Sequence, residues 1–157
     1  MKASTVSELK KDLLTLSPKE LTDLCLRLAK YKKENKELLT YLLYETGDES
    51  AYIQGVKDEM DELFSDLSTN THYAKKTLRK ILRIATKYIR YSGQKTTEIE
   101  LLIHFCKMMK SSRISIRRSQ QLLNLYERQL IKINKSILTL HEDLQYDYQR
   151  EMGELAI

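Results

Sequence analysis

Residues 72–93, HYAKKTLRKILRIATKYIRYSG, hold seven basic side chains between Lys75 and Arg90 and no acidic one. Advancing about 100° per residue, Lys75, Lys76, Arg79, Lys80, Arg83, Lys87 and Arg90 fall within an arc of about 140°. Leu78, Ile81, Leu82, Ala85, Tyr88 and Ile89 fall on the opposite side, between about 220° and 340°. The spacing predicts a helix with one core face and one basic face, stopped by Ser92-Gly93.

The rest of the chain reads the same way. One proline, four glycines and no tryptophan in 157 residues leave few breaks, and unbranched helix formers dominate. No useful stretch alternates with the period of a strand. The expectation is all-α: a compact bundle of antiparallel helical hairpins in one domain over residues 1–157, with a short α-solenoid as the alternative.

Capping signals divide the chain. Thr5 with Glu8 opens a first helix over residues 6–16, and Ser17-Pro18-Lys19-Glu20 opens a second. The second is expected to bury Leu21, Leu24, Cys25 and Leu28. Polar residues in YKKENKE favour a turn there and a new helix from about Asn35 to Glu45. Asp48 caps an acidic helix over residues 49–67. Thr97 with Glu100 predicts another capping box, ahead of a helix that buries Leu101, Ile103, Phe105 and Met108. Lys110 to Ser119, KSSRISIRRS, reads as a basic connection. Beyond it, Leu123, Tyr126, Leu130, Ile133, Ile137, Leu140 and Leu144 alternate spacings of three and four. That seam predicts one long C-terminal helix reaching about Glu151, the spine of the bundle, with a weak homodimer as the alternative to a monomer.

Charge is distributed by helix. Residues 48–70 carry one base and seven acids, whereas residues 71–95 carry eight bases and no acid, within an overall +5. No apolar run approaches the roughly 20 residues that span a bilayer, and no apolar signal segment is expected at the N-terminus. Cys25 and Cys106 fall in apolar patterns and are expected as buried, reduced thiols, which fits a cytoplasmic protein.

No catalytic or cofactor signature stands out. His104 and Cys106 lie two apart, about 200° apart on a helix, and cannot share a metal. No glycine-rich phosphate loop can be built from four isolated glycines, so no cofactor or metal site is expected. An enzyme finds no residue set to carry it.

Three segments, KKTLRKILRIATKYIRYSG (75–93), ELLIHFCK (100–107) and LTLHEDLQYDYQRE (138–151), are similar to segments of small bacterial helical proteins of uncharacterised activity. The resemblance spans most of the chain. It implies a bacterial, cytoplasmic origin and transfers no activity or site.

The functional expectation rests on the basic face. Like charges at i,i+4 oppose a helix by a few tenths of a kcal/mol per pair, so the cluster implies a compensating partner. A polyanion is favoured, nucleic acid bound by its backbone, with Tyr73 and Tyr91 as stacking surfaces. Lys95 and the connection's Arg113, Arg117 and Arg118 could extend the surface. The alternative is a protein-interaction adaptor with acidic and basic faces. In it, acids of residues 49–67 (Asp58, Glu59, Asp61, Glu62, Asp66) cover part of the basic helix, and an acidic protein surface is the partner.

Overall fold

A computed structural model describes residues 2–157. Among them are eight α-helices and no strand: α1 (Val6–Leu13), α2 (Pro18–Tyr31), α3 (Lys33–Thr40), α4 (Glu49–Ser65), α5 (Thr71–Ser92), α6 (Lys95–Ser111), α7 (Gln120–Ile137) and α8 (Glu142–Gly153). A π turn covers Tyr41–Glu45 and a 3-10 turn covers Ile116–Arg118. No helix is long and apolar enough to cross a membrane. Where composition predicts one domain, the contacts form two compact units, one ending at Tyr44 and one spanning Glu45–Ile157.

In the first unit the local signals act as expected. Thr5 and Glu8 form a reciprocal capping box, as do Ser17 and Glu20, with Pro18 at the start of α2. The turn falls at Lys32, and Asn35 Nδ2 ties α3 back to the Leu28 carbonyl at 2.8 Å. The expected burial does not occur. None of α1, α2 or α3 contains a buried residue; Leu24, Cys25 and Leu28 are exposed and Leu21 is half-buried. A unit of this length has too little chain to enclose an apolar stripe.

The second unit is built around α6. Its run EIELLIHFC is apolar on nearly every side, and Ile99, Leu101, Leu102, Ile103, Phe105, Cys106 and Met109 are all buried. Met108 is half-buried instead. Thr97 does not cap this helix. It lies inside the first turn, fully buried, with its hydroxyl bonded to Glu49.

Four helices pack around this core. Lys57 meets Glu100 at 2.9 Å and Asp61 meets His104 at 2.6 Å, the same sequence offset, so α4 runs parallel to α6. Lys107 meets Glu151 at 2.8 Å and Lys110 meets the Glu154 carbonyl at 2.7 Å, again at one sequence offset, which places α8 parallel to α6 as well. The short connections on either side of α6 make α5 and α7 antiparallel to it. Gly93, in the left-handed region at φ 67°, closes α5, and its N–H reaches the Ile89 carbonyl.

The single long C-terminal helix is two helices. The backbone turns at Leu138–Leu140, where Thr139 Oγ1 donates to the Ser136 carbonyl at 2.7 Å, and His141 caps α8. The chain then folds back along α6, held by Tyr126 Oη on the Leu155 carbonyl at 2.7 Å and Lys110 Nζ on the Glu154 and Ala156 carbonyls.

Candidate functional site

α5 begins at Asn70, whose side chain accepts from the His72 N–H at 2.9 Å. Ala74, Leu78, Ile81, Ala85 and Ile89 are buried at helical spacing, which turns the intervening cations outward. Lys76, Arg79, Lys80, Arg83 and Arg90 are exposed and Lys75 is half-buried.

Four of these cations converge on one groove. Lys75, Lys76, Arg79 and Arg83 line it with His72, and Gln121 of α7 forms the facing wall, around a volume of about 780 Å³. Lys75 Nζ donates to Gln121 Oε1 across the gap. A second hollow of about 440 Å³ shares Arg79 and Gln121, so the two form one trough between α5 and α7. Leu82, Asn124, Leu125, Arg128 and Gln129 line this second half.

The acidic helix does not cover these charges. Among the described residues, no carboxylate forms an ion pair with Lys75, Lys76, Arg79, Lys80, Arg83 or Arg90. The acids of α4 are directed elsewhere: Asp61 to His104, Glu59 to the Tyr88 hydroxyl at 2.8 Å, and Asp58 to Gln54 at 2.7 Å. α4 packs on α6 as well as α5, and none of its carboxylates lines the groove.

The other residues singled out in sequence go to separate places. Lys80 and Arg90 are exposed outside the groove lining. Lys87 is half-buried over the Tyr88 ring at 4.6 Å and the Tyr91 ring at 5.9 Å. Tyr91 is itself half-buried, edge-on to Tyr88, whereas Tyr73 is exposed beside His72. Lys95 pairs with Glu98 at 2.9 Å and belongs to an internal network. Arg113 lines a hollow at the end of α6, with Phe64 and Thr69 among its neighbours. Arg117 and Arg118 are exposed on the 3-10 turn ahead of α7, and Ile114 and Ile116 anchor that connection in the core.

Sequence reasoning missed the α7 wall. Gln121, Asn124 and Arg128 sit more than 40 residues from Lys75, and their only signal was their place on the polar side of an apolar seam.

A second charged hollow, between α4, α6 and α8, is mutually paired. Lys57 with Glu100 and Lys107 with Glu151 neutralise one another, and the His104 ring nitrogen Nε2 lies within hydrogen-bond distance of Asp61. Burial and the adjoining carboxylates, Glu100 foremost, push the Tyr148 hydroxyl up to about 12. No group of three or more His, Cys, Asp or Glu side chains among the described residues is placed to hold a metal ion. No family model matches this chain, and neither a curated protein nor a solved structure is significantly similar to it.

Proposed function

We propose that the protein binds a nucleic acid through its phosphate backbone in the groove between α5 and α7. The observation that carries this reading is the set Lys75, Lys76, Arg79 and Arg83 lining one groove with no carboxylate paired to them among the described residues. From Lys75 to Arg83 the helix rises about 12 Å, enough to follow several successive phosphates. Lys and Arg serve phosphate as point charge and as fork, and neither requires a particular base.

Binding of labelled RNA or DNA measured against salt tests it. About four phosphate contacts predict a slope of log affinity on log salt of roughly −3 to −4. Arg79→Glu combined with Arg83→Glu flattens that slope by about 1.5 and weakens binding for every sequence tried. A wild-type protein with no measurable affinity at low salt, or a slope unchanged in the double variant, rejects the reading.

The first unit favours a second reading, a protein-interaction adaptor. Val6, Leu14, Leu28, Tyr31 and Tyr44 all stand exposed there, a density of apolar side chains that solvent does not favour. Leu28→Glu and Leu14→Glu would then abolish a protein contact without touching the salt slope of nucleic-acid binding.

A further inference from the structure

The two halves of the groove differ in chemistry. The half around Lys75, Lys76 and Arg83 is cationic, whereas the half beyond Arg79 has Leu82 from α5 facing Leu125 from α7, with side-chain amides around them. A surface built only for phosphates has no use for a leucine pair edged by amides. A nucleobase has an apolar face and an edge of donors and acceptors, and this second half presents the complement of both.

The hydrogen bonding within the groove strengthens the match. Asn124 Oδ1 accepts from Gln120 Nε2 at 2.7 Å, which leaves the Asn124 amide N–H₂ to donate. Gln129 Nε2 donates to the Leu125 carbonyl at 3.2 Å, which leaves the Gln129 carbonyl to accept. One donor and one acceptor thus flank the leucines, and the Watson–Crick edge of every unpaired base carries both kinds of group.

Width decides between strands. Both α5 and α7 pack on α6, so their axes stand no more than about 20 Å apart, and the helices' own thickness leaves at most about 10 Å between them. The Lys75 to Gln121 hydrogen bond spans the gap directly, so at that end it is no wider than one lysine can reach. A double helix cannot enter such a trough, and its bases would be paired and out of reach. From His72 to Leu82 the trough runs about 15 Å, room for roughly four nucleotides at a stacked spacing of about 3.4 Å.

We infer, resting on the function proposed above, that the groove takes a single strand with unpaired bases. Its phosphates lie along Lys75, Lys76, Arg79 and Arg83, and one or two bases seat between Leu82 and Leu125 with their edges toward Asn124 and Gln129. Arg128, at the rim of the same half, meets the strand as it leaves.

Fluorescence anisotropy on the full chain tests this with labelled oligomers of about twelve nucleotides. The probes are single-stranded RNA, single-stranded DNA of the same sequence, the duplex of each, and a DNA strand of equal length made of abasic sites. Single strands should bind at least about fivefold tighter than either duplex and than the abasic strand. Asn124→Ala with Gln129→Ala should weaken the base-bearing strand by about fivefold and leave the abasic strand unchanged. Preference for the RNA over the DNA strand would identify the ribose hydroxyl as a further contact and supports the inference if the abasic contrast holds. A duplex or abasic strand that binds as tightly as the single strand overturns it while leaving phosphate binding standing. Binding to none of the probes overturns both. The wild-type comparison of base-bearing and abasic strands needs no variant, so a folding defect cannot mask the result.

Discussion

Lys132 Nζ of α7 lies 2.9 Å from Glu98 Oε1 of α6, and Glu98 is almost fully buried. Lys95 at 2.9 Å and the Ser136 hydroxyl at 2.8 Å complete the shell around the same carboxylate. Burial alone would raise the Glu98 pKa, but hydrogen bonds from Lys95, Lys132 and Ser136 outweigh it and bring the group from about 4.5 down to about 2.

A carboxyl depressed in the folded state stabilises that state above its unfolded pKa and stops doing so as pH falls through the folded value. Stability from Glu98 is therefore complete above about 4.5 and is lost between there and about 2. The contribution is on the order of 2–3 kcal/mol. Urea midpoints measured across that window should fall in the wild type and fall less in Glu98→Gln, which starts lower at pH 7. Parallel pH curves for the two proteins would remove this role from Glu98.

Ile133 and Ile137 are fully enclosed, while Leu138 beside them is exposed. Replacing either isoleucine with alanine should cost about 2–4 kcal/mol, and Leu138→Ala less than about 0.5. Chemical denaturation of the three variants separates the buried seam from the wider apolar face. Equal losses at all three positions would mean that a second surface covers Leu138.

The fold should tolerate charge reversal in the groove. Arg79 and Arg83 pair with no acid among the described residues, so reversing both strands no partner. Their mutual repulsion persists as Glu against Glu, while their contacts with Lys75, Lys76, Lys80 and Lys87 turn from repulsive to attractive. The melting temperature of Arg79→Glu with Arg83→Glu should stay within a few degrees of the wild type. A loss of more than about 1 kcal/mol would show that these arginines hold an acidic neighbour in place.

The two thiols should separate cleanly. Cys25 is exposed, whereas burial pushes the Cys106 thiol up to about 12. A thiol reagent at neutral pH should titrate one cysteine per native chain and both after denaturation, because only a thiolate that solvent reaches reacts quickly. Rapid labelling of both in the native state would place an opening motion at the centre of α6.

Local chemistry was legible in the residues themselves. Thr5 with Glu8, Ser17-Pro18 with Glu20, Asp48 and Gly93 mark helix ends that depend on neighbours three or four positions away, and the structure places those ends within a few residues of expectation. The segregated faces of α5 follow from the helical period alone, as does the all-α class. The break between α7 and α8 was not legible. The sequence LTLH contains no breaker, and the apolar spacing runs straight across it. The turn brings α8 and the residues after it back along α6 and α7, where Lys107 meets Glu151 and Tyr126 and Lys110 donate to the Leu155 and Ala156 carbonyls.

The same distinction governs the candidate site. Sequence by itself determined which face of α5 carries the cations, since helical geometry leaves no other arrangement. Only the tertiary structure decided what stands opposite. Residues 49–67 hold the acids nearest in sequence, yet α4 turns them toward His104, Tyr88 and Gln54. The facing wall comes instead from α7, whose Gln121, Asn124 and Arg128 meet α5 because both helices pack antiparallel on α6. Packing of apolar faces sets that neighbourhood, and the charges follow wherever the faces carry them.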